Sequence, residues 1–219
     1  MLTVKTDSLG NVVCYKARLV ARGHRQIEGI GFTETFNPTV SWNSVRLFLA
    51  LTVTNNLISL QLDIDMAYLY GDIEPGVVIY MRPPQGIKLS GNYAYRLKKS
   101  LYGLKRTGRI WNSLIDEKFK AAGFVPFDED ACVYIRRRGT EVTLLLLYVD
   151  DIICSASDKS VLEELVLYLR SLYSLKLKGV STTVSLPVPT QLLGLELIWG
   201  KGFRSVQINA SKLVKEFNA

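Results

Sequence analysis

The sequence predicts an α+β fold whose run from residue 57 onward takes the order strand, helix, strand, strand, helix, strand, the ferredoxin-like split βαβ arrangement. Three observations lead there. Segments of period-two alternation take turns with segments of helical spacing. The 219 residues are 48% hydrophobic, enough to bury a core in one or two compact lobes. No internal repeat or low-complexity linker interrupts the series.

Val12 to Val20 is predicted as a strand, with Cys14, Lys16 and Arg18 on one face by its period of two. Ser44 to Asn55 (S-V-R-L-F-L-A-L-T-V-T-N) is predicted as a helix with a serine cap and an asparagine near its end. Leu57 to Ile64 alternates as a strand and leads into Asp63 and Asp65. Gly108 to Ala122 is amphipathic: Ile110, Trp111, Leu114, Ile115, Lys118 and Phe119 are spaced for one face, and Gly123 is the stop. Cys132 to Arg137 and Val142 to Val149 flank Gly139-Thr140 as a hairpin. Asp158 caps a helix running to about Tyr173, because Val161, Leu162, Leu165, Leu169 and Leu172 recur at helical spacing. The Ser181 to Thr190 segment reads as a proline-containing loop. Leu192 to Trp199 and Phe203 to Ile208 form a second hairpin about Gly200-Lys201-Gly202.

Composition narrows the chemistry. The balance of 27 Lys+Arg against 20 Asp+Glu gives +7, which suits a polyanionic partner. Cys14, Cys132 and Cys154 are odd in number and widely spaced, so they read as buried thiols in a reducing compartment rather than as a disulfide framework or zinc ribbon. With no apolar leader and no run near the length of a membrane span, the expectation is a soluble intracellular protein without a membrane partner. His24 is the only histidine. A histidine metal cage is therefore excluded, and any metal must be held by oxygen ligands, which points to magnesium or manganese.

One stretch demands such an ion. Residues 144–155 read L-L-L-L-Y-V-D-D-I-I-C-S, with Asp150 and Asp151 set between apolar runs. Adjacent carboxylates there repel and lose hydration, at several kcal/mol per buried ion unless a cation compensates. If the hairpin strand carrying Tyr148 to Asp151 lies beside the strand ending at Asp63, three carboxylates meet at one sheet edge. Two divalent ions roughly 4 Å apart on such a cluster support in-line phosphoryl transfer. The plain alternative is turn chemistry, since aspartate is a favoured turn residue.

Y-V-D-D in this setting, with Q-L-D-I-D-M-A-Y-L-Y-G-D-I upstream, closely resembles the reverse transcriptases of copia-type LTR retrotransposons. The match also takes in Y-K-A-R-L-V-A-R-G at 15–23, F-T-E-T-F-N-P-T-V at 32–40, Y-M-R-P-P-Q-G at 80–86, R-L-K-K-S-L-Y-G-L-K at 96–105 and L-L-G-L-E at 192–196. It runs through nearly the whole chain, in the family's order. The resemblance implies a reverse-transcriptase palm with a partial fingers region. Residues 1–56 are then fingers-like, and 57–219 are palm with an interleaved fingers segment at about 77–106, truncated before a complete thumb.

By the same resemblance Asp63 and Asp150 are the principal ligands of two Mg²⁺ (or Mn²⁺) ions, and Asp151 completes the cluster. Tyr68 matches the aromatic position under the incoming sugar, with a packed core tyrosine as the alternative. Tyr148 belongs with it on the nucleotide side. Lys16, Arg18 and Arg22 can point together at the triphosphate or the template backbone. Lys98, Lys99, Tyr102, Gly103, Lys105, Arg106 and Arg109 lie in a basic segment interleaved with aromatics, a composition that suits a nucleic-acid strand. Asp65 reads as a solvated neighbour, and Arg136-Arg137-Arg138 as a solvated hairpin tip.

The implied activity is RNA-directed DNA polymerisation. Its partners are an RNA or DNA template, a primer strand and a dNTP, with RNase H and integrase elsewhere in the parent polyprotein. The implied compartment is the cytoplasm, within a virus-like particle, or the nucleus. Two departures from the family pattern stand out: Arg106 replaces a glutamine and Gly108 a proline in L-K-R-T-G-R-I-W. The chain also stops shortly after Ser211-Lys212-Leu213. The competing reading is a catalytically inactive nucleic-acid-binding remnant; another palm-type nucleotidyltransferase, such as a cyclase, fits the template-side motifs poorly.

Overall fold

The computed structural model describes residues 1–6, 11–29, 32, 34–84, 86–87, 91, 93–178, 180–181, 187–188 and 190–211. Most of the Ser181 to Thr190 loop lies outside these. The chain divides into two compact units, Met1–Asn37 with Met66–Ile115, and Pro38–Asp65 with Asp116–Ala219.

The second unit is built on a six-stranded sheet. Its spatial order is Leu175–Lys178, Ile58–Ile64, Asp151–Ala156, Glu141–Tyr148, Val133–Arg138 and Val125–Pro126. Every neighbouring pair is antiparallel. The Leu144 to Leu147 run is buried at each residue, as expected of a strand covered on both faces. On one face Leu144, Leu146 and Ile153 pack with Val45, Phe48 and Leu49 of the helix Trp42–Thr54 and with Leu192 and Leu197. On the other face Tyr134 meets Phe119 edge to face at 5.1 Å, and Phe119 in turn meets Phe124. Each fully buried leucine contributes about 1.5–3 kcal/mol relative to exposure, which is why the central strands hold the sheet together.

The helices follow the sequence closely. Trp42–Thr54 buries Val45, Phe48, Leu49 and Thr52 along one stripe. Its cap is Ser41 rather than Ser44: the Ser41 side chain accepts from the Ser44 N–H at 3.1 Å, while its own N–H donates to Asp130. Thr107–Ala121 ends where Gly123 takes φ +85°, a conformation that costs glycine little. Asp158 caps Lys159–Leu172 by accepting from the Ser160 N–H at 2.7 Å, and Val161, Leu162, Leu165, Val166 and Leu169 are buried.

Two expectations change. The Cys132 to Arg137 and Val142 to Val149 hairpin is present as Val133–Arg138 and Glu141–Tyr148, but a third strand, Asp151–Ala156, follows it and is the one that pairs with Ile58–Ile64. Its apolar I-I-C-S-A continues the leucine run so directly that no break other than V-D separates the two strands. Cys14 is exposed, whereas Cys132 and Cys154 are buried thiols; burial pushes the Cys132 pKa up to about 12.

The first unit contains the hairpin Leu2–Thr6 with Val12–Ala17 and the short pair Tyr80–Met81 with Tyr95–Arg96. Arg18 falls just beyond the strand, its N–H bonded to the Met1 carbonyl at 2.8 Å. Among the described residues no helix is long and apolar enough to cross a membrane.

Candidate metal centre

The turn between the two central strands places the acids. Tyr148 pairs with Asp151, leaving Val149 and Asp150 as the two loop residues. Val149 has φ +56°. A β-branched residue rarely adopts that conformation, and holding it costs about 1–3 kcal/mol. The packed strands impose it, because every residue of Ile152 to Ala156 and of Thr143 to Leu147 is buried and cannot slip. The Asp150 carbonyl accepts from the Ile64 N–H at 2.9 Å, tying the turn to the strand that carries Asp63. Asp63 stands opposite Asp151 in the register. One carboxylate oxygen from each of Asp63, Asp150 and Asp151 lies within 4.8 Å of the others. The acids thus converge as expected, though from a turn and a facing strand rather than from one hairpin strand beside another.

Below the acids the sheet is held by a chain of buried hydroxyls. The Thr52 hydroxyl lies 2.9 Å from the Phe48 carbonyl, to which it donates, and 3.0 Å from the Ser155 hydroxyl, and Ser59 lies 2.5 Å from Ser155. These bonds lock the two acid-bearing strands and the helix Trp42–Thr54 to one another within the core.

Electrostatically the cluster is short of positive charge, and one lysine partly supplies it. Lys178 Nζ lies 2.7 Å from Asp63 Oδ1 and 2.6 Å from Asp151 Oδ1. Gln61 Nε2 donates to the same Asp151 oxygen at 3.3 Å. Burial pulls the Lys178 pKa down, but the bonds to Asp151 and Asp63 outweigh it and leave it above the usual lysine value. Asp150 is displaced upward, first because surrounding protein strips water from its carboxyl and then through the charges of Asp151 and Asp63. Asp65 follows the strand and belongs to a separate pairing with Lys176 and Ser174.

Tyr148, at the last position before the turn, is 36% exposed. The remaining sequence-predicted residues lie in the first unit. Tyr68 is half-buried, its ring 5.4 Å from that of Tyr102, with its carbonyl bonded by the Ser100 hydroxyl. Arg18 stands over the Tyr102 ring at 5.7 Å, within cation–π range. Lys16 is half-buried on its strand and Arg22 is exposed at the start of the turn Gly23–Arg25. Lys98, Lys99 and Lys105 are exposed, Lys99 reaching the Tyr70 carbonyl and Asp72. Arg106 is ion-paired with Glu74, and Arg109 with Glu34 at 2.7 Å. Gly103 has a structural reason to be glycine: at φ +87° an added Cβ would stand 2.2 Å from the Ala21 carbonyl oxygen.

Sequence reading missed Lys178 and Gln61. Their only local signal is the alternation L-K-L-K at 175–178 and Q-L-D at 61–63, which puts polar side chains on the acid face once the strands are paired.

Residues 1–218 of the 219 match the model of the family described as reverse transcriptase (RNA-dependent DNA polymerase). It is 34% identical over 215 residues to the retrovirus-related Pol polyprotein from transposon TNT 1-94 of Nicotiana tabacum, covering 97% of the chain and 15% of that protein. It is 35% identical over 178 residues to the corresponding polyprotein from transposon RE1 of Arabidopsis thaliana, covering 80% and 12%. The Ty1-ER2 Gag-Pol polyprotein of Saccharomyces cerevisiae is 32% identical over 194 residues, at 86% and 10% coverage. The chain belongs to the reverse transcriptase family, as the reverse transcriptase domain of copia-type Pol polyproteins. It spans 15% or less of the length of these relatives.

Proposed function

We propose that this chain performs RNA-directed DNA polymerisation, extending the 3′-hydroxyl of a primer with a deoxynucleotide from a dNTP on an RNA or DNA template. The observation that carries the reading is the convergence of Asp63, Asp150 and Asp151, with carboxylate oxygens within 4.8 Å of one another, beside the strained residue Val149. The donor set fits hard divalent ions such as Mg²⁺ or Mn²⁺: it is all oxygen, and its charge already attracts the ammonium of Lys178. Asp63, Asp150 and Asp151 would hold two such ions, which when bound supply an activated attacking hydroxyl and a stabilised leaving pyrophosphate.

The protein's own part is to keep the three acids in place and the turn open to the reactants. The antiparallel order, with Ile58–Ile64 between Leu175–Lys178 and Asp151–Ala156, supports reading the second unit as a split βαβ palm. The first unit, with Met1–Asn37 and Met66–Ile115, supports reading most of the basic motifs as fingers. In that reading Tyr68 and Tyr148 face the nucleotide, with Lys16 and Arg18 on its phosphates. Arg22, Lys98, Lys99, Tyr102, Lys105, Arg106 and Arg109 serve the template and primer, with Gly103 shaping their loop. Arg106 and Arg109 exchange their acidic partners for phosphates on binding. The relatives, each a Pol or Gag-Pol polyprotein, support a place for this chain within a longer polyprotein, where RNase H and integrase would be its neighbours.

Primer extension on a defined template tests the reading. The wild-type chain extends the primer with magnesium or manganese, and Asp63→Asn and Asp150→Asn each abolish extension with the fold retained. Near-normal activity in either variant removes the assignment. Wild-type chain that binds primer–template yet never extends it replaces this reading with the inactive remnant.

A further inference from the structure

We propose that Lys178 is a tethered counter-cation of the acidic cluster, which an incoming divalent ion must displace, so that this lysine sets the metal concentration at which the site fills. The inference rests on the metal-binding reading of Asp63, Asp150 and Asp151. Lys178 lies on the edge strand Leu175–Lys178, opposite Gln61 in register, and its ammonium bridges Asp63 and Asp151 at 2.7 and 2.6 Å. It therefore uses the Oδ1 atom of both acids. A divalent ion ligated by the same oxygens cannot share that position with an ammonium, because two cations at such range repel in a partly desolvated site.

The neighbouring lysine on the same strand shows that this is not generic edge charge. Lys176 stands opposite Asp63 in register, yet its ammonium pairs with Asp65, leaving Asp63 to Lys178. Side chains two apart on a strand share a face, so the two lysines divide the acids between them. The side chain of Lys178 is 41% exposed, and its four-carbon stem gives it room to swing out once an ion arrives. The turn acid, Asp150, is exposed and offers the open approach for the ion.

Mn²⁺ binding to the full 219-residue chain, measured by calorimetry and by electron paramagnetic resonance without nucleotide or nucleic acid, decides the matter. Lys178→Met and Lys178→Gln are each expected to bind Mn²⁺ about tenfold more tightly than wild type, a change of about 1.4 kcal/mol. Lys176→Met serves as the control and leaves the affinity unchanged. In the absence of metal both Lys178 variants melt lower than wild type, and Mn²⁺ raises their melting temperature by more. Equal or weaker Mn²⁺ binding in both variants overturns the role of Lys178, as does a gain of the same size in Lys176→Met. Asp63→Asn separates the two readings. If it abolishes Mn²⁺ binding while the Lys178 variants bind no tighter, only the counter-cation inference fails; if Mn²⁺ binding survives it, the ion sits elsewhere and the metal-centre reading fails first.

Discussion

The backbone N–H of Ile64 donates to the carbonyl of Asp150 at 2.9 Å. This bond joins the end of the strand bearing Asp63 to the turn residue Asp150, next to Asp151 at the start of the following strand, so main-chain pairing together with the buried Thr52, Ser155 and Ser59 hydroxyls fixes the distance between remote parts of the sequence. The carboxylates are therefore free to respond to charge without loss of the fold.

That freedom gives Asp150→Asn a definite sign in stability. The Asp150 pKa is raised in the folded protein, by lost hydration and then by Asp151 and Asp63. An acid so displaced favours the fold while protonated, and this contribution is full below the ordinary carboxylate value and lost as pH rises through the folded one. The metal-free variant should therefore match wild type in acid and melt about 1–3 °C higher at neutral pH. Magnesium should reverse the order by stabilising wild type alone. Melting curves at several pH values, with and without magnesium, check both halves; a variant less stable than wild type at neutral pH without metal contradicts the argument.

Val149 allows a test by inverted rank. At most positions alanine is more stable than glycine, by about 0.5–1 kcal/mol in regular structure. At φ +56° the order should reverse, with Val149→Gly more stable than Val149→Ala by about 1 kcal/mol. Denaturant titration of the pair measures this, and an alanine advantage would show that the turn is relaxed. The glycine variant should also extend primers more slowly, because the loop holding Asp150 loses its stiffness.

Gly103→Ala should destabilise the protein by about 3 kcal/mol or more. Its Cβ would meet the Ala21 carbonyl oxygen at 2.2 Å and the Val20 side chain at 2.6 Å, from a backbone already at φ +87°. Ala21 itself donates to the Tyr102 carbonyl at 2.7 Å, so the two segments have no slack. Wild-type stability in this variant would mean that the close approach is not maintained in solution.

Tyr68→Ala should relax sugar discrimination, so that ribonucleotides are added while deoxynucleotide incorporation weakens less. The side chain packs against Tyr102 but remains half-buried, so its removal need not collapse the core. Single-nucleotide incorporation with matched ribo- and deoxynucleotides reads the effect. Unchanged selectivity returns Tyr68 to a packing role.

Much of this architecture is legible in sequence because it is local. Helical spacing locates the helices Trp42–Thr54, Thr107–Ala121 and Lys159–Leu172, and the motifs around Asp63, Asp150 and Asp151 point to the acids without knowledge of strand pairing. What escaped depends on partners far along the chain. The R-R-R stretch reads as a solvated tip, yet Arg136 is only 4% exposed, stacked 4.8 Å from the Phe124 ring centroid, because it shares a face with Tyr134 two residues before it. Only Arg137 and Arg138 point to water. Lys178 was equally invisible, since nothing in L-K-L-K names the strand beside it. The serine cap shifted by three residues for a similar reason: Asp130, 89 positions away, holds Ser41 in place.

The two outermost strands of the six-stranded sheet also bear on how copies of this chain meet. An unpaired strand edge invites another chain to add to it, and lysine and proline are the usual deterrents. One margin here is Leu175–Lys178, with two lysines in four residues, and the other is Val125–Pro126, whose proline has no N–H to offer. Intermolecular strand addition is thus discouraged at both ends of the sheet, which keeps the acidic turn between its central strands from being sealed inside an aggregate.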